Sequence, residues 1–301
     1  MKKSYFGSKG LWLKGNIHSH STVSDGKLSP QELVRRYKEK GYDFLSLTDH
    51  NILVSHAALS DEGFTLLAGL EHDLEYSADK CIHLVGTAAH GKDSTGYDCR
   101  RYSASELSDR QLTKLMKEDG QFVSLAHPVW SRMEMSELEN LSDFDAIEVY
   151  NNGTEHLCHS GNAEVWWDLL LRQGRKLRAA AVDDVHGEDD LFGGWICLLA
   201  EDRSEKAILK ALSAGQFYAS SGPEIKDFGI EDGQLYVESS PCRELHFVTY
   251  PPRGSSVFAD GVSLESARHQ LTGRESYARV VCVDEEGRSA WSNPIYFDDR
   301  A

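Results

Sequence analysis

Phe44-Leu45-Ser46-Leu47-Thr48-Asp49-His50-Asn51 is a short strand-like run that breaks directly into an aspartate and a histidine. The same event recurs along the chain. Leu11-Trp12-Leu13 leads to His18-Ser19-His20, and residues 64–68 lead to Gly69-Leu70-Glu71. Residues 121–126 end at His127-Pro128, and residues 177–182 end at Asp183-Asp184-Val185-His186. Further apolar runs at 81–86 and 144–149 bring the candidate strands to seven. Helical patterns separate several of them, and strand–helix alternation predicts an α/β fold with a parallel sheet. Polar residues at the C-terminal ends of many different strands favour a TIM-like barrel, because an open sheet concentrates its site at one switch point.

The clearest helix opens at Ser29-Pro30-Gln31-Glu32. Serine is the expected N-cap, proline takes the first helical position, and Glu32 completes an expected capping box. Leu33, Val34 and Tyr37 share a face, and Gly41 ends the helix. Residues 104–119, 161–173 and 204–215 are further helix candidates. After Ser220-Ser221-Gly222-Pro223 the pattern becomes short strands with turn punctuation, such as Glu231-Asp232-Gly233 and Glu285-Glu286-Gly287. Residues 1–221 are thus expected to form the barrel and residues 222–301 a small β-sandwich domain.

The chain has 301 residues, enough for two cores, and a formal charge of -16. That charge argues against a nucleic-acid polymer or an anionic membrane as partner, so a small-molecule substrate is expected. No stretch approaches the ~18 apolar residues of a membrane span, and no apolar segment follows the basic start. The six cysteines show no CxxC pairing, which points to a reducing, cytoplasmic compartment.

Nine residues of metal-ligand type stand at or near the strand ends: His18, His20, Asp25, His50, Glu71, His83, His127, Asp184 and His186. His18 and His20, like Asp184 and His186, are two apart, so an extended segment presents both on one face. Of Asp49 and His50, the histidine is the chosen ligand; Asp49 is expected to orient an imidazole or to cap a helix. Glu71 is a candidate bridging carboxylate. His83 lies inside an apolar run, where a histidine is either a core residue or, in this series, a ligand. Asp183 competes with Asp184 for the same role.

In order and context, HxH, SDG, TDHN, GxE, His83, AHP and DxH resemble the polymerase-and-histidinol-phosphatase (PHP) family over residues 12 to about 221. The segment Ala211 to Pro223 and the later Trp291-Ser292-Asn293-Pro294-Ile295 are similar to a branch often named after carbaryl hydrolase, with a C-terminal β-sandwich. The resemblance implies a distorted (β/α)7 barrel holding two or three divalent ions. It implies that His18, His20, Glu71 and Asp184 hold a first ion, and that Glu71 bridges to a second at His83 and His127. It places a third at Asp25, His50 and His186.

Imidazole and carboxylate ligands without thiolate suit Zn, Mn or Fe. Such a cluster supplies a bridging hydroxide as nucleophile, so the expected activity is a phosphoesterase acting on a small phosphorylated metabolite or nucleotide. The alternative is hydrolysis of a carbamate, amide or ester by the same cluster. Asp184 and His186 are the candidate catalytic residues. Arg132 and Asn151 are candidate substrate contacts, and an Arg or Lys converging on the ions is the mark of the phosphoesterase. Trp130 gains interest if the substrate is apolar. His156 and His159 are candidates for the rim.

Overall fold

The computed structural model describes residues 2–7, 9–53, 56–77, 80–90, 99–103, 105–141 and 144–297. The strands of its first part are β1 (Lys2–Ser4), β2 (Leu11–Asn16), β3 (Phe44–Leu47), β4 (Thr65–Ser77), β5 (Lys80–Ala88) and β6 (Tyr102–Ser103). They continue with β7 (Phe122–Leu125), β8 (Ala146–Asn151), β9 (Arg178–Val182), β10 (Trp195–Ala200) and β11 (Phe217–Ser220). The helices are α1 (Pro30–Glu39), α2 (Asp109–Glu118), α3 (Met135–Asn140), α4 (Asn152–Cys158), α5 (Glu164–Arg172) and α6 (Glu205–Ala214). Among the described residues, no helix is long and apolar enough to cross a membrane.

Local chemistry explains the helix ends. Ser29 accepts a hydrogen bond from the Glu32 amide, and Gly41 takes φ 81° just past the end of α1. The expected capping box is not formed: the Glu32 carboxylate is drawn instead to Arg35 and Arg36 at 2.7 and 2.8 Å. Ser108 and Gln111 do form a reciprocal box at the start of α2. Leu33, Val34 and Tyr37 are buried, as their spacing requires.

The seven expected strands are all present, but their order departs from strict βα alternation. β2, β3 and β4 are parallel neighbours, as are β7, β8 and β9. Between these groups β5 runs antiparallel to both β4 and β7. A parallel bridge from Ser19 to Val185 brings the segment after β2 against the segment after β9. β10, which went unread in the sequence, runs antiparallel to β2. The architecture is therefore mixed α/β with sheets of mostly strands. Inside it Leu13, Phe44, Leu67, Phe122, Val182 and Leu198 share one apolar core. Gly15 belongs to that packing, since a Cβ there would fall 2.3 Å from the Phe44 ring.

The C-terminal region is β-rich: β12 (Ile225–Glu231), β13 (Gln234–Cys242), β14 (Glu244–Tyr250), β15 (Ser255–Phe258), β16 (Leu264–Gln270), β17 (Tyr277–Val283), β18 (Ser289–Ser292) and β19 (Ile295–Tyr296). One four-stranded sheet has the order β1-β12-β13-β16, so the N-terminal strand belongs to this region. β14, β15, β17 and β18 extend the large sheet, because β18 pairs with β11. The sheet hydrogen bonding thus runs through the break anticipated after residue 221. Phe228, Leu235, Val237, Leu245, Phe247 and Val280 fill the space between the two sheets.

An exposed turn that buries the Glu275 side chain gives a pH prediction. Burial opposes ionisation of Glu275, but hydrogen bonds from Thr272 and Gly273 outweigh it and hold its carboxyl down at about 2. A depressed folded value means that this contribution to stability is complete above the unfolded value of 4.5 and fades as pH falls toward 2. Glu275→Gln is expected to flatten the acid limb of the stability–pH curve, measured by urea unfolding between those values. An unchanged limb removes Glu275 from the account.

Candidate metal centre

Seven of the nine expected residues line one cavity of about 350 Å³, and His18 and His20 stand behind Glu71 and Asp184 in the same cluster. His18 and His20 follow β2 and are fully buried. The His18 Nδ1–H donates to Glu148 Oε1 at 2.7 Å, which turns Nε2 inward. That Nε2 lies 3.1 Å from His20 Nε2, 3.3 Å from Glu71 Oε2 and 3.2 Å from Asp184 Oδ1. Two imidazole nitrogens and two carboxylate oxygens thus converge in a dry pocket. His20 Nδ1 and Asp184 Oδ1 have no hydrogen-bond partner. A buried electron-donor cluster of this kind fits a divalent cation and is costly without one.

Glu71 lies at the centre. Its Oε1 is 2.9 Å from His83 Nδ1 and 3.2 Å from His127 Nε2. Its Oε2 is 3.1 Å from His20 Nε2 and 3.3 Å from His50 Nδ1. Burial opposes its charge, yet the surrounding imidazoles hold the Glu71 carboxyl well below the usual carboxylate range. Conversely, burial pulls the His18 imidazole down, but Asp184, Glu71 and Glu148 more than offset this and raise it well above its ordinary value.

Three groups of side chains have ligand atoms close enough to share an ion: His18, His20, Glu71 and Asp184; His50, Glu71, Asp73 and His83; and His20, Asp25, His50 and His186. His127 stands against Glu71 beside the second group, 3.8 Å from Asp184 Oδ2. Asp25 lies 3.7 Å from His20 Nδ1 and 3.5 Å from His186 Nε2. Its carboxylate is more than half exposed, which makes this the open side of the cluster.

Asp73 went unread because the third strand was expected to end near Glu71. β4 continues to Ser77 and pairs Asp73 opposite His83. Glu71 and Asp73 are two apart, the same spacing as His18 and His20, so the signal was present in the sequence. Glu148 was also missed. It accepts from His18 Nδ1, from the His127 amide at 2.9 Å and from Asn151 Nδ2 at 2.8 Å. An acid inside Ile147-Glu148-Val149 at a buried strand position is the mark that could have found it. Glu148→Gln is expected to weaken metal affinity about 10–100-fold by loosening His18. A chelator-competition titration reads this directly, and an unchanged affinity would remove Glu148 from the centre.

The competition between the two aspartates is decided by geometry. Asp183 Oδ1 accepts from the amides of Gly193 and Gly194 at 2.8 Å, and Oδ2 accepts from Tyr37 Oη at 2.5 Å. It faces away from the histidines, and burial pushes its carboxyl up to about 6. Asp184 turns inward through a left-handed backbone, φ 52°. Gly153 lets α4 abut it, since a Cβ there would meet the Asp184 carbonyl at 2.6 Å. Asp49 neither orients an imidazole nor caps a helix. It accepts from the amides and hydroxyls of Ser21 and Ser24, which holds the loop carrying Asp25.

Two expected substrate contacts are placed differently. Asn151 is fully buried; its amide donates to Glu148 and to Asp184 Oδ2 at 3.1 Å, and its Oδ1 caps α4 by accepting from Thr154. It therefore orients the acids and does not face the cavity. The Arg132 guanidinium donates to the Val129 carbonyl and is absent from the cavity wall. No Arg or Lys lines the cavity among the described residues. His156 and His159 are exposed and also stand outside it. Trp130, Gly153, Thr154, Leu157 and Asp190 complete the wall. Trp166 and Trp167 pack in the core.

This fold carries His/Asp/Glu clusters able to hold divalent metal ions. A family model described as PHP domain matches residues 16–184, more than half of the chain, and the chain belongs to that family. Its structure is similar to the crystal structure of a two-domain protein from Bacteroides vulgatus "containing predicted PHP-like metal-dependent phosphoesterase". The TM-score is 0.50 at 16% identity, covering 94% of this chain and 87% of that one. A 77-residue segment is 38% identical to a 5′-3′ exoribonuclease of Haemophilus influenzae, covering 24% of this chain and 28% of that protein. A 39-residue segment is 44% identical to the DNA polymerase/3′-5′ exonuclease PolX of Bacillus subtilis, covering 13% of this chain and 7% of that protein. The chain therefore spans only about a quarter or less of these relatives' lengths.

These relatives correct the expectation of a small-molecule substrate with no nucleic-acid polymer. The expectation rested on the whole-chain charge of -16. A whole-chain sum does not describe a site in which bound cations invert the local potential.

Proposed function

We propose that the chain is a metal-dependent phosphoesterase acting on the terminal phosphate esters of a nucleic-acid strand. The observation that carries this reading is the wall of the cavity: a dense carboxylate–imidazole cluster below, and a partly exposed Trp130 at the rim. The Trp130 ring centroid lies 4.9 Å from that of His127 and 5.6 Å from that of His83. An aromatic face beside the reacting centre supports a base at a strand end. The match to a 5′-3′ exoribonuclease points the same way. The Ser19–Val185 bridge supports reading the curled sheet as a distorted barrel.

Bound at this cluster, two or three divalent ions such as Zn, Mn or Fe would supply Lewis acidity and an activated water at neutral pH. His18, His20, Glu71 and Asp184 would hold one ion, and Glu71 with Asp73, His83, His50 and His127 a second. Asp25, His50 and His186 on the open side would hold a third. Glu148 and Asn151 fix His18 and Asp184 in place. His186 Nδ1 lies 3.1 Å from the Asp184 carbonyl and so carries the proton there, which leaves Nε2 toward Asp25 and the cavity. That nitrogen is positioned either to bind an ion or, when protonated, to protonate the leaving alkoxide.

The test uses 5′-labelled single-stranded RNA and DNA oligonucleotides, p-nitrophenyl phosphate and p-nitrophenyl acetate, each with and without Mn²⁺. Metal-dependent phosphate-ester cleavage with shortening of the oligonucleotides is expected. Trp130→Ala is expected to raise KM for oligonucleotides about 5–100-fold, the loss of one stacked base, with little change for p-nitrophenyl phosphate. Equal effects on both substrates would remove Trp130 as a stacking platform.

A second reading, hydrolysis of a carbamate, amide or ester, is favoured by one observation: the described cavity wall contains no Arg or Lys but does contain Trp130 and Leu157. Esterase activity without phosphate-ester cleavage would select it.

A further inference from the structure

β2, β10 and β11 lie side by side, and their side chains alternate between two faces. Leu13, Ile196, Leu198 and Phe217 point into the apolar core. Trp12, Lys14, Trp195, Cys197 and Tyr218 therefore stand on the opposite face. There a cleft of about 600 Å³ opens between the sheet, Asp43 and the segment 222–226, and no residue of the metal centre lines it. Its volume lies in the range of small-ligand pockets.

The floor is aromatic and partly open. Trp12 is 43% exposed. Its neighbours Phe6 and Tyr218 meet it at 74° and 61° and do not stack on it. Trp12 is paired with Leu199, and Trp195 lies four residues further along β10. The two tryptophans are thus about 13 Å apart along the strands.

Two charged groups on this floor lack a counterpart. The Lys14 ammonium lies 3.7 Å from the centre of the Trp195 ring and 4.3 Å from that of Tyr42. Among the described residues it makes no ion pair and no side-chain hydrogen bond. Burial pushes this amine below its ordinary value, and the acids around it do not offset that. The exposed Glu224 carboxylate likewise has no partner among the described residues. The other two charged groups of the lining are engaged. Asp43 accepts from the Lys14 amide and from Arg203, both at 2.8 Å, and Lys226 stands 3.6 Å from Glu265.

This lining selects a kind of ligand. It holds two lysines and two acids, so it favours a neutral molecule over an anion or a cation. An ammonium only donates hydrogen bonds and a carboxylate only accepts them, whereas a hydroxyl does both. A ring that carries hydroxyls around its rim and C–H bonds on its face satisfies Lys14 and Glu224 while covering an indole. That is the chemistry of a pyranose.

We infer that this cleft binds a neutral oligosaccharide, with pyranose faces along Trp12 and Trp195 and hydroxyls between the Lys14 ammonium and the Glu224 carboxylate. The inference stands on this cleft alone and does not require the proposed activity.

The test is a saturation-transfer NMR titration of the full, Zn²⁺-loaded chain. The probes are cellotriose, maltotriose and triacetylchitotriose, with the open-chain polyol mannitol and the aromatic anion indole-3-acetate as comparisons. At least one trisaccharide is expected to bind with a Kd of about 1 mM or tighter. Trp12→Ala is expected to weaken it about tenfold or more, through lost stacking and burial. Glu224→Gln is expected to weaken it about 2–10-fold, the worth of one hydrogen bond. Glu224 is exposed and its side chain touches no partner, so this second variant is expected to keep the wild-type thermal midpoint and rate on p-nitrophenyl phosphate. It keeps the test decisive if Trp12→Ala fails to fold. Binding of none of the three trisaccharides overturns the site. Unchanged affinity in either folded variant overturns its placement in this cleft. Mannitol binding as tightly as the best trisaccharide, or indole-3-acetate binding more tightly, overturns the saccharide assignment.

Discussion

Glu71→Gln is expected to empty the metal centre of at least one ion and to lower kcat/KM by about 10³-fold or more. A change in a residue that only orients a ligand costs about 10–100-fold, and Glu71 is deeper in the site than that. Its two oxygens lie within 3.3 Å of nitrogen atoms from His18, His20, His50, His83 and His127. It belongs to two of the three groups able to hold an ion. Glutamine preserves volume and hydrogen-bonding length but removes the charge, and it presents an NH₂ to nitrogens that need an acceptor or a cation. Elemental analysis of the purified variant, with hydrolysis measured alongside, reads both effects. Full occupancy with activity within about tenfold of wild type would mean that Glu71 is only an orienting group.

Arg279→Met is expected to destabilise the protein by about 3–5 kcal/mol, the cost of breaking a buried ion pair from one side. Arg279 lies on β17 and is 2% exposed. Its Nη1 is 2.9 Å from Glu164 Oε1 and its Nη2 is 3.5 Å from Asp168 Oδ1, both on α5. Its guanidinium carbon also lies 4.6 Å from the centre of the Trp167 ring. Tyr277 Oη and Trp291 Nε1 donate to the same two acids, at 2.7 and 2.9 Å. This network ties the C-terminal strands to the helix that follows α4, whose residues line the metal cavity. Removing the arginine leaves two acids short of their counter-charge. Chemical denaturation measures the loss. Adding Glu164→Gln to Arg279→Met is expected to recover part of it, because one orphaned charge is then gone. A loss below about 1 kcal/mol would place the pair among those that contribute little. Metal content at a temperature where the variant stays folded is expected to match wild type.

Much of the site was legible because its chemistry is periodic. His18/His20 and Asp184/His186 repeat at the strand period, and each follows an apolar run long enough to be recognised as a strand. The same rule failed at Asp73 only because the end of β4 was placed too early, and a strand end is set by what pairs with it. β5 supplies that pairing through Glu75, beyond the acids and histidine at 71–73 that interrupt the apolar run. Glu148 was missed for a different reason. An acid within Ile147-Glu148-Val149 marks a buried carboxylate, but the pattern does not say that its partner is a histidine 130 residues away. Arg132 and Asn151 show the converse: position after a strand brought each near the cavity, but the direction of each side chain was set by a local backbone partner.

The sequence by itself determined nine candidate metal-ligand residues, the positions of α1, α2, α5, α6 and most strands of the first part, and the change to a β-rich pattern near residue 221. These follow from local rules: the alternation of side chains along a strand, the caps of a helix, and the chemistry of imidazole and carboxylate. Only the tertiary structure decided that Asp184 and not Asp183 turns inward, that Asp73 joins Glu71, that β5 reverses the sheet, and that β1 crosses to the C-terminal sheet. Each of these depends on hydrogen bonds and packing between residues far apart in the chain, where the partner, and not the local pattern, sets the geometry.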